Sequence, residues 1–243
     1  MFAELRNILL SAVYPQKCTL CDRLTEDMTN GCVCSECWAK TKFFTGLETL
    51  CLKCGAFLSE AEPLFDTYCH ACDDAKFDSA IAFGPYRDGI MASIIYLKTT
   101  PYLPKKLITQ AVFLYNDKFA DIDPLLIPVP LSARRRAERG FNQAEVIAVG
   151  ISKECGAKVD NNSLVRVAHT HSHRAAMDRK AREISVKNAF DVKRKNLIRG
   201  KDILLIDDVM TSGATASACA YSLKKAGAAS VNVMTLGRAV LGN

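Results

Sequence analysis

No charge-free apolar run in the 243 residues approaches the ~20 positions that a membrane span requires, so insertion as a transmembrane helix is excluded. Residues 1–15 place Glu4 and Arg6 around a short apolar stretch, without a basic leader segment or a small-residue cleavage site. A short amphipathic helix is expected there, and a cytoplasmic location for the chain. Low hydrophobicity and compositional repetition are also missing. With 49% hydrophobic and 24% charged residues, the chain is neither disordered nor collagen-like. Cysteine is scarce over the last two-thirds, where only Cys155 and Cys219 occur, both expected as buried, small apolar residues on helices.

The other nine of the eleven cysteines lie between Cys18 and Cys72. Eight of them form four knuckles: Cys18-x-x-Cys21, Cys34-x-x-Cys37, Cys51-x-x-Cys54 and Cys69-x-x-Cys72. A Cys-x-x-Cys turn sets two thiolates on one side of a tetrahedron, and two such turns joined by a loop of this length close a four-sulfur site. Two structural zinc ions follow. The simplest pairing puts one on Cys18, Cys21, Cys34 and Cys37 and the other on Cys51, Cys54, Cys69 and Cys72; the spacing leaves an interleaved pairing open. Gly55 follows Cys54, where a knuckle often needs a positive φ. Four regular pairs leave no vacancy for Cys32 or His70 as ligands. A redox role would ask for a thioredoxin-like βαβ pattern around the pairs, and none is present. A closed four-sulfur site has no open position for chemistry, so the metal holds together a segment too short for its own core.

Charge divides at the same place. Residues 1–76 hold 7 Lys/Arg against 11 Asp/Glu, net −4, and residues 77–243 hold 25 against 15, net +10. Within the second part, residues 131–200 alone hold 16 against 7, net +9. A domain boundary is placed near Lys76, separating 1–76 from 77–243, with a separate core expected for each. Helices are expected at 88–98, 105–116, 142–155 and about 214–226. The third has Asn142 as N-cap, Glu145 completing a capping box and Gly156 as its stop. Strands are expected at 125–129, 164–167, 189–192, 203–206 and 231–235. Their alternation with helices predicts an α/β fold with a mostly parallel sheet covered on both faces. Ligands of such sheets bind at the carboxyl ends of the strands.

One such end reads Ile203-Leu204-Leu205-Ile206-Asp207-Asp208-Val209-Met210-Thr211-Ser212-Gly213-Ala214-Thr215. A hydrophobic strand delivers two carboxylates at its tip, and a turn of hydroxyl residues and glycine then enters a helix. The loop N–H groups, the hydroxyls of Thr211, Ser212 and Thr215, and the positive helix end together suit one phosphate group. Gly213 lets the backbone approach closely. The carboxylates stand just outside, placed to accept hydrogen bonds from a sugar diol, so a 5-phosphorylated ribose matches the layout. A Walker-type magnesium site would need a glycine-lysine loop, which the sequence lacks.

This segment resembles the phosphoribosyl diphosphate (PRPP) binding motif of type I phosphoribosyltransferases. Ile127-Pro128-Val129-Pro130-Leu131, the basic run from Arg134 to Arg139, and Gly140-Phe141-Asn142-Gln143-Ala144-Glu145 resemble the ComF family of competence-associated proteins. The tandem knuckles resemble that family's N-terminal double zinc ribbon. The resemblance implies a type I phosphoribosyltransferase-like parallel sheet with flanking helices, preceded by a small double zinc-ribbon domain. It further implies that Asp207 and Asp208 are the catalytic, ribose-binding carboxylates and that Val209, Met210, Thr211, Ser212, Gly213, Ala214 and Thr215 line the PRPP site, Thr211 to Thr215 around the 5-phosphate. Pro130 and Leu131, followed by Arg136 and Arg139, take the place of the pyrophosphate loop, and magnesium accompanies PRPP. Residues 166–187 correspond to a mobile hood. Arg134, Arg135, His173, Arg179, Arg182 and Lys187 are the candidate hood or DNA contacts. Where relatives carry a glutamine, this chain has His169-Thr170-His171-Ser172-His173, a run that could hold a metal or lie as a solvent-exposed loop.

The implied chemistry is displacement of pyrophosphate from C1 of ribose, with arginines and magnesium on the leaving group and the carboxylates beside the developing cation. The acceptor is left open. Two functions are carried forward: a PRPP-dependent transferase linked to DNA uptake in natural transformation, and a single-stranded DNA-handling protein that keeps the fold without transferase activity. For the second, the net +9 stretch would track a phosphate backbone, with a competence helicase or processing proteins as partners.

Overall fold

A computed structural model describes residues 15–61, 65–119, 121–167 and 189–239. The helix expected near the N-terminus lies outside them. So do the histidine run and His173, Arg179, Arg182 and Lys187 of the expected hood. In chain order the elements begin with helix α1 (Ser35–Lys40) and the antiparallel pair β1 (Thr49–Leu50) and β2 (Phe57–Ser59). Then follow β3 (Ser79–Pro85), α2 (Asp88–Tyr96), α3 (Lys105–Lys118), β4 (Leu125–Pro128), α4 (Ala133–Arg139) and α5 (Gln143–Cys155). The chain goes on through β5 (Leu164–Arg166), β6 (Phe190–Val192), α6 (Lys195–Ile198), β7 (Asp202–Met210), α7 (Ala214–Lys225) and β8 (Ser230–Arg238).

Four strands form a parallel sheet in the order β3-β8-β7-β4. β7 is interior and its β-branched and leucine run is buried on both faces, as a doubly covered parallel strand must be. Leu204 and Ile206 belong to one buried cluster, with α2, α3 and α5, while Ile203 and Leu205 belong to a second, with α7. Asn142 caps α5 by accepting from the Ala144 N–H at 3.1 Å, and its own amide donates to the Val129 carbonyl at 3.0 Å. That bond fixes the helix start against the end of β4.

Three expectations change. The segments 164–167 and 189–192 are strands, but they pair with each other antiparallel, outside the four-stranded sheet, as β5 and β6. Phe190 instead packs toward α7, where the Ser222 hydroxyl donates to its carbonyl at 2.9 Å. Glu145 does not complete a capping box, because Arg136 holds its carboxylate at 2.5 Å. The expected separate cores are joined. Cys18, Cys32, Cys34 and Trp38 share a buried cluster with Phe83, Ile90 and Ile94; Cys51, Cys54 and Cys72 share the other with Phe77, Val231 and Val233. Glycine permits this approach at Gly84, among other places. A Cβ on Gly84 of β3 would meet the Lys42 carbonyl oxygen at 2.6 Å, and beside it Phe44 N–H donates to the Phe83 carbonyl at 2.7 Å.

Candidate functional site

The eight knuckle cysteines gather into two groups, Cys18, Cys21, Cys34 and Cys37, and Cys51, Cys54, Cys69 and Cys72. Within each group the sulfurs lie within 4.8 Å of one another, the donor set and spacing of a tetrahedral zinc site. The simple pairing is the observed one. The two sites repeat a single local design. Cys34 N–H donates to the Cys18 sulfur at 3.3 Å, and Cys69 N–H to the Cys51 sulfur at 3.3 Å. Asp22 and Gly55, each directly after a knuckle, both have positive φ, 58° and 62°. Gly55 meets the expectation. Asp22 went unnoticed because aspartate tolerates that conformation without announcing it.

Burial raises the Cys18 thiol, but N–H groups of Cys34, Leu20 and Cys21 outweigh it and bring it down to about 6. Cys51 is likewise brought to about 6 against its burial by N–H groups of Cys69, Cys54 and Lys53. Cys37 and Cys72 are pushed far up by burial and then by the sulfurs beside them. One sulfur per group is thus prepared as a thiolate, and a cation is needed before all four can ionise together. The residues fit structural zinc. Cys32 is buried outside both groups, and His70 is exposed with its ring 3.5 Å from the Asp73 carboxylate.

The second candidate site lies at the carboxyl end of the sheet. β7 runs into the loop Thr211-Ser212-Gly213, and Gly213, at φ 76°, is the N-cap of α7. Thr211, Ser212, Ala214 and Thr215 are exposed while Gly213 is buried. An open cleft of about 340 Å³, solvent included, is lined by Asp207, Val209, Met210 and residues 211–216 together with Val233 and Thr235. Asp207 is in this cleft and Asp208 is not among its lining residues. The two alternate across the strand: Asp207 lies toward Cys219 of α7, whereas the Asp208 charge acts on Tyr86. They still touch through the backbone, Asp208 N–H donating to the Asp207 carboxylate at 2.9 Å. Burial, then the neighbouring Asp208 charge, pushes the Asp207 carboxyl well above its usual range.

Pro130 and Leu131 follow β4, whose end pairs with β7, so they lie on the same edge of the sheet as Asp207. The arginines beyond them form α4, a helix capped by the Ser132 hydroxyl. Arg134 pairs with Glu138 at 2.7 Å and Arg136 with Glu145 at 2.5 Å. Arg135 and Arg139 have no ion-pair partner among the described residues. A residue that sequence reasoning missed is Arg238, at the end of β8 and only 6% exposed. It donates to the carbonyls of Met210 and Thr211 at the start of the phosphate-type loop. The sequence signal, an arginine closing a buried strand, has meaning only once strand register is known.

The double zinc ribbon family model matches residues 9–73. Competence protein F of Haemophilus influenzae is 27% identical over 232 residues, covering 92% of this chain and 97% of that one. DNA utilization protein YhgH of Salmonella typhimurium is 25% identical over the same shares. Competence protein ComFC of Bacillus subtilis is 35% identical over 127 residues, 50% of this chain and 49% of its own. Among solved structures, a purine phosphoribosyltransferase from Pyrococcus horikoshii overlaps 56% of this chain and 85% of its own, with 15% identity and a TM-score of 0.34. No described helix is long and apolar enough to cross a membrane.

Proposed function

We propose that this chain, which belongs to the ComF family of competence-associated proteins, binds PRPP at the β7–α7 loop and acts in DNA uptake as a phosphoribosyltransferase whose acceptor is a further partner. The observation that carries the reading is the geometry of that loop: two carboxylates among the last four residues of the strand, exposed hydroxyls, and a left-handed Gly213 opening a helix, all at the carboxyl edge of a parallel sheet. Relatives named as competence and DNA utilization proteins support the link to DNA uptake.

In this reading the Thr211–Thr215 hydroxyls and N–H groups hold the 5-phosphate. Asp207, which lines the cleft, holds the ribose hydroxyls, Asp208 bears on it through its backbone N–H to the Asp207 carboxylate, and the pair leaves negative charge near C1 as it becomes cationic. Arg139 and Arg135, without an ion-pair partner among the described residues, meet the diphosphate that leaves. Magnesium, when bound, would neutralise the diphosphate, carried mainly by substrate oxygens and water and reached by the carboxylates. Both Asp207 and Asp208 should matter, and calorimetric titration with PRPP and magnesium tests it. Asp207→Asn/Asp208→Asn keeps the shape and removes charged acceptors worth about 1.5–3 kcal/mol each. Affinity should fall at least ~10-fold. Equal affinity in the double variant would remove the carboxylates from the ribose clamp.

A second reading, single-stranded DNA handling, draws on Arg135 and Arg139, which are exposed or half-buried on α4 and have no ion-pair partner among the described residues.

A further inference from the structure

We propose that Arg238 is a positioning residue that couples the second four-cysteine site to the loop 211–215, so that metal occupancy at the one sets the shape of the other. For its bearing on ligand binding this rests on the phosphate reading of that loop; the coupling itself does not. The Arg238 guanidinium reaches both places at once. Its Nε donates to the Cys54 carbonyl at 3.2 Å and one terminal nitrogen to the Cys54 sulfur at 3.7 Å. The other terminal nitrogen donates to the Met210 carbonyl at 2.9 Å and to the Thr211 carbonyl. Met210 is the last residue of β7 and Thr211 the first of the loop, two residues before the Gly213 cap.

Strand register holds the bridge in place. Arg238 pairs with Met210 across β7–β8 and with Pro85 across β3–β8, and the Ala239 N–H also donates to the Met210 carbonyl, at 2.9 Å. A buried cation without a carboxylate partner is costly unless another charge offsets it. Among the described residues no carboxylate lies within ion-pair distance of Arg238. Its partners are instead the Cys54 carbonyl and sulfur on one side and the Met210 and Thr211 carbonyls on the other. When the metal leaves, the knuckle that carries the Cys54 carbonyl and sulfur loses its cross-link, and the guanidinium loses the anchor on that side. The loop carbonyls then lose two donors together. Hydrogen bonds from neighbours to metal ligands are also where affinity is tuned, so the coupling runs in both directions.

Lysine in place of arginine keeps the charge but cannot fork. Hydrogen exchange on zinc-loaded Arg238→Lys, verified to hold both metals, should speed the amides of Ser217 and Ala239, which donate to the Gly213 and Met210 carbonyls of this loop, about 10-fold or more, the scale of one charged hydrogen bond. Amides of α3 and of the first cysteine group should keep wild-type protection. Unchanged loop exchange overturns the coupling, and so does an even rise over the whole chain. If the variant does not fold, graded chelation of the wild type decides: protection of the Ser217 and Ala239 amides, the ones bonded to this loop, should fall in step with that of 51–72. A loop that stays protected after the second site has emptied overturns the proposal. In the wild type, PRPP with magnesium should slow release of one zinc and not the other. Absence of any PRPP binding would sink the functional reading, and the exchange results would still judge the coupling.

Discussion

Asp207 shows best what a single residue costs and why it is present. Its carboxyl is driven upward by burial and by Asp208, so folding makes it take up protons. A carboxyl of this kind does not weaken the fold below its unfolded pKa near ~3.9. It weakens the fold progressively as pH climbs from there through the raised value. Asp207→Asn should therefore stabilise the protein at pH 7 and lose that advantage toward pH 3, while PRPP affinity drops. Each kcal/mol gained reads as about 2–4 °C in Tm for a chain this long. Melting the variant and wild type across pH checks it; a Tm difference that does not change with pH would mean the carboxyl is not strained by folding. At this scale the sequence was informative for chemistry-bearing motifs. Asp207, Gly213 and the eight knuckle cysteines were legible because their neighbours in the chain define their surroundings. Arg238 was not, because its partners, Cys54 and Met210, come from distant segments joined only by strand pairing.

Elements were legible where periodicity was strong. The expected strand 203–206 lies within β7, the expected helix 142–155 is α5 with its cap, and the expected helix 214–226 is α7. β3 was missed: its alanines, serine and glycine have weak strand preference, and pairing to β8 makes the strand. The arginines that follow Pro130 and Leu131, expected in the place of the pyrophosphate loop, lie on the helix α4, whose local ion pairs decide which of them stay available. This changes the design of the DNA test. Arg134 and Arg136 are occupied by Glu138 and Glu145, so Arg135 and Arg139 should carry any contact to a phosphate backbone. Each such contact adds ~0.7 to the slope of log affinity against log salt for a single strand. Arg135→Ala/Arg139→Ala should flatten the slope by about 1.4 and weaken all sequences alike. Arg134→Ala should change it little. A shift assay on single-stranded oligonucleotides that gives one slope for all three proteins would remove α4 from DNA binding.

For the whole molecule, the change of charge near Lys76 marks a change of composition and not a break in packing. The parallel sheet could be read from alternating strands and helices, but the union of cysteine region and sheet could not. It depends on contacts such as Trp38, the one tryptophan, lying 2% exposed in the same cluster as Ile90, Leu204 and Ile206. Trp38 sits on α1, directly after Cys37, and its indole N–H donates to the Asn30 carbonyl at 3.0 Å. The second cysteine group covers the other face, so each metal site closes a different side of one sheet. Removing metal should then cost the sheet its covers and not merely unfold residues 18–72. Unseating Trp38 alone is worth about 3–5 kcal/mol. At about 2–4 °C per kcal/mol, complete chelation should lower Tm by roughly 10 °C or more, as a single cooperative transition. Freshly purified protein should contain two zinc ions per chain, as the two four-sulfur groups require. Calorimetry beside metal analysis checks both. A zinc-free protein whose β7 and β8 amides keep full protection while 18–72 is unfolded would show that the sheet stands without its metal-bound covers.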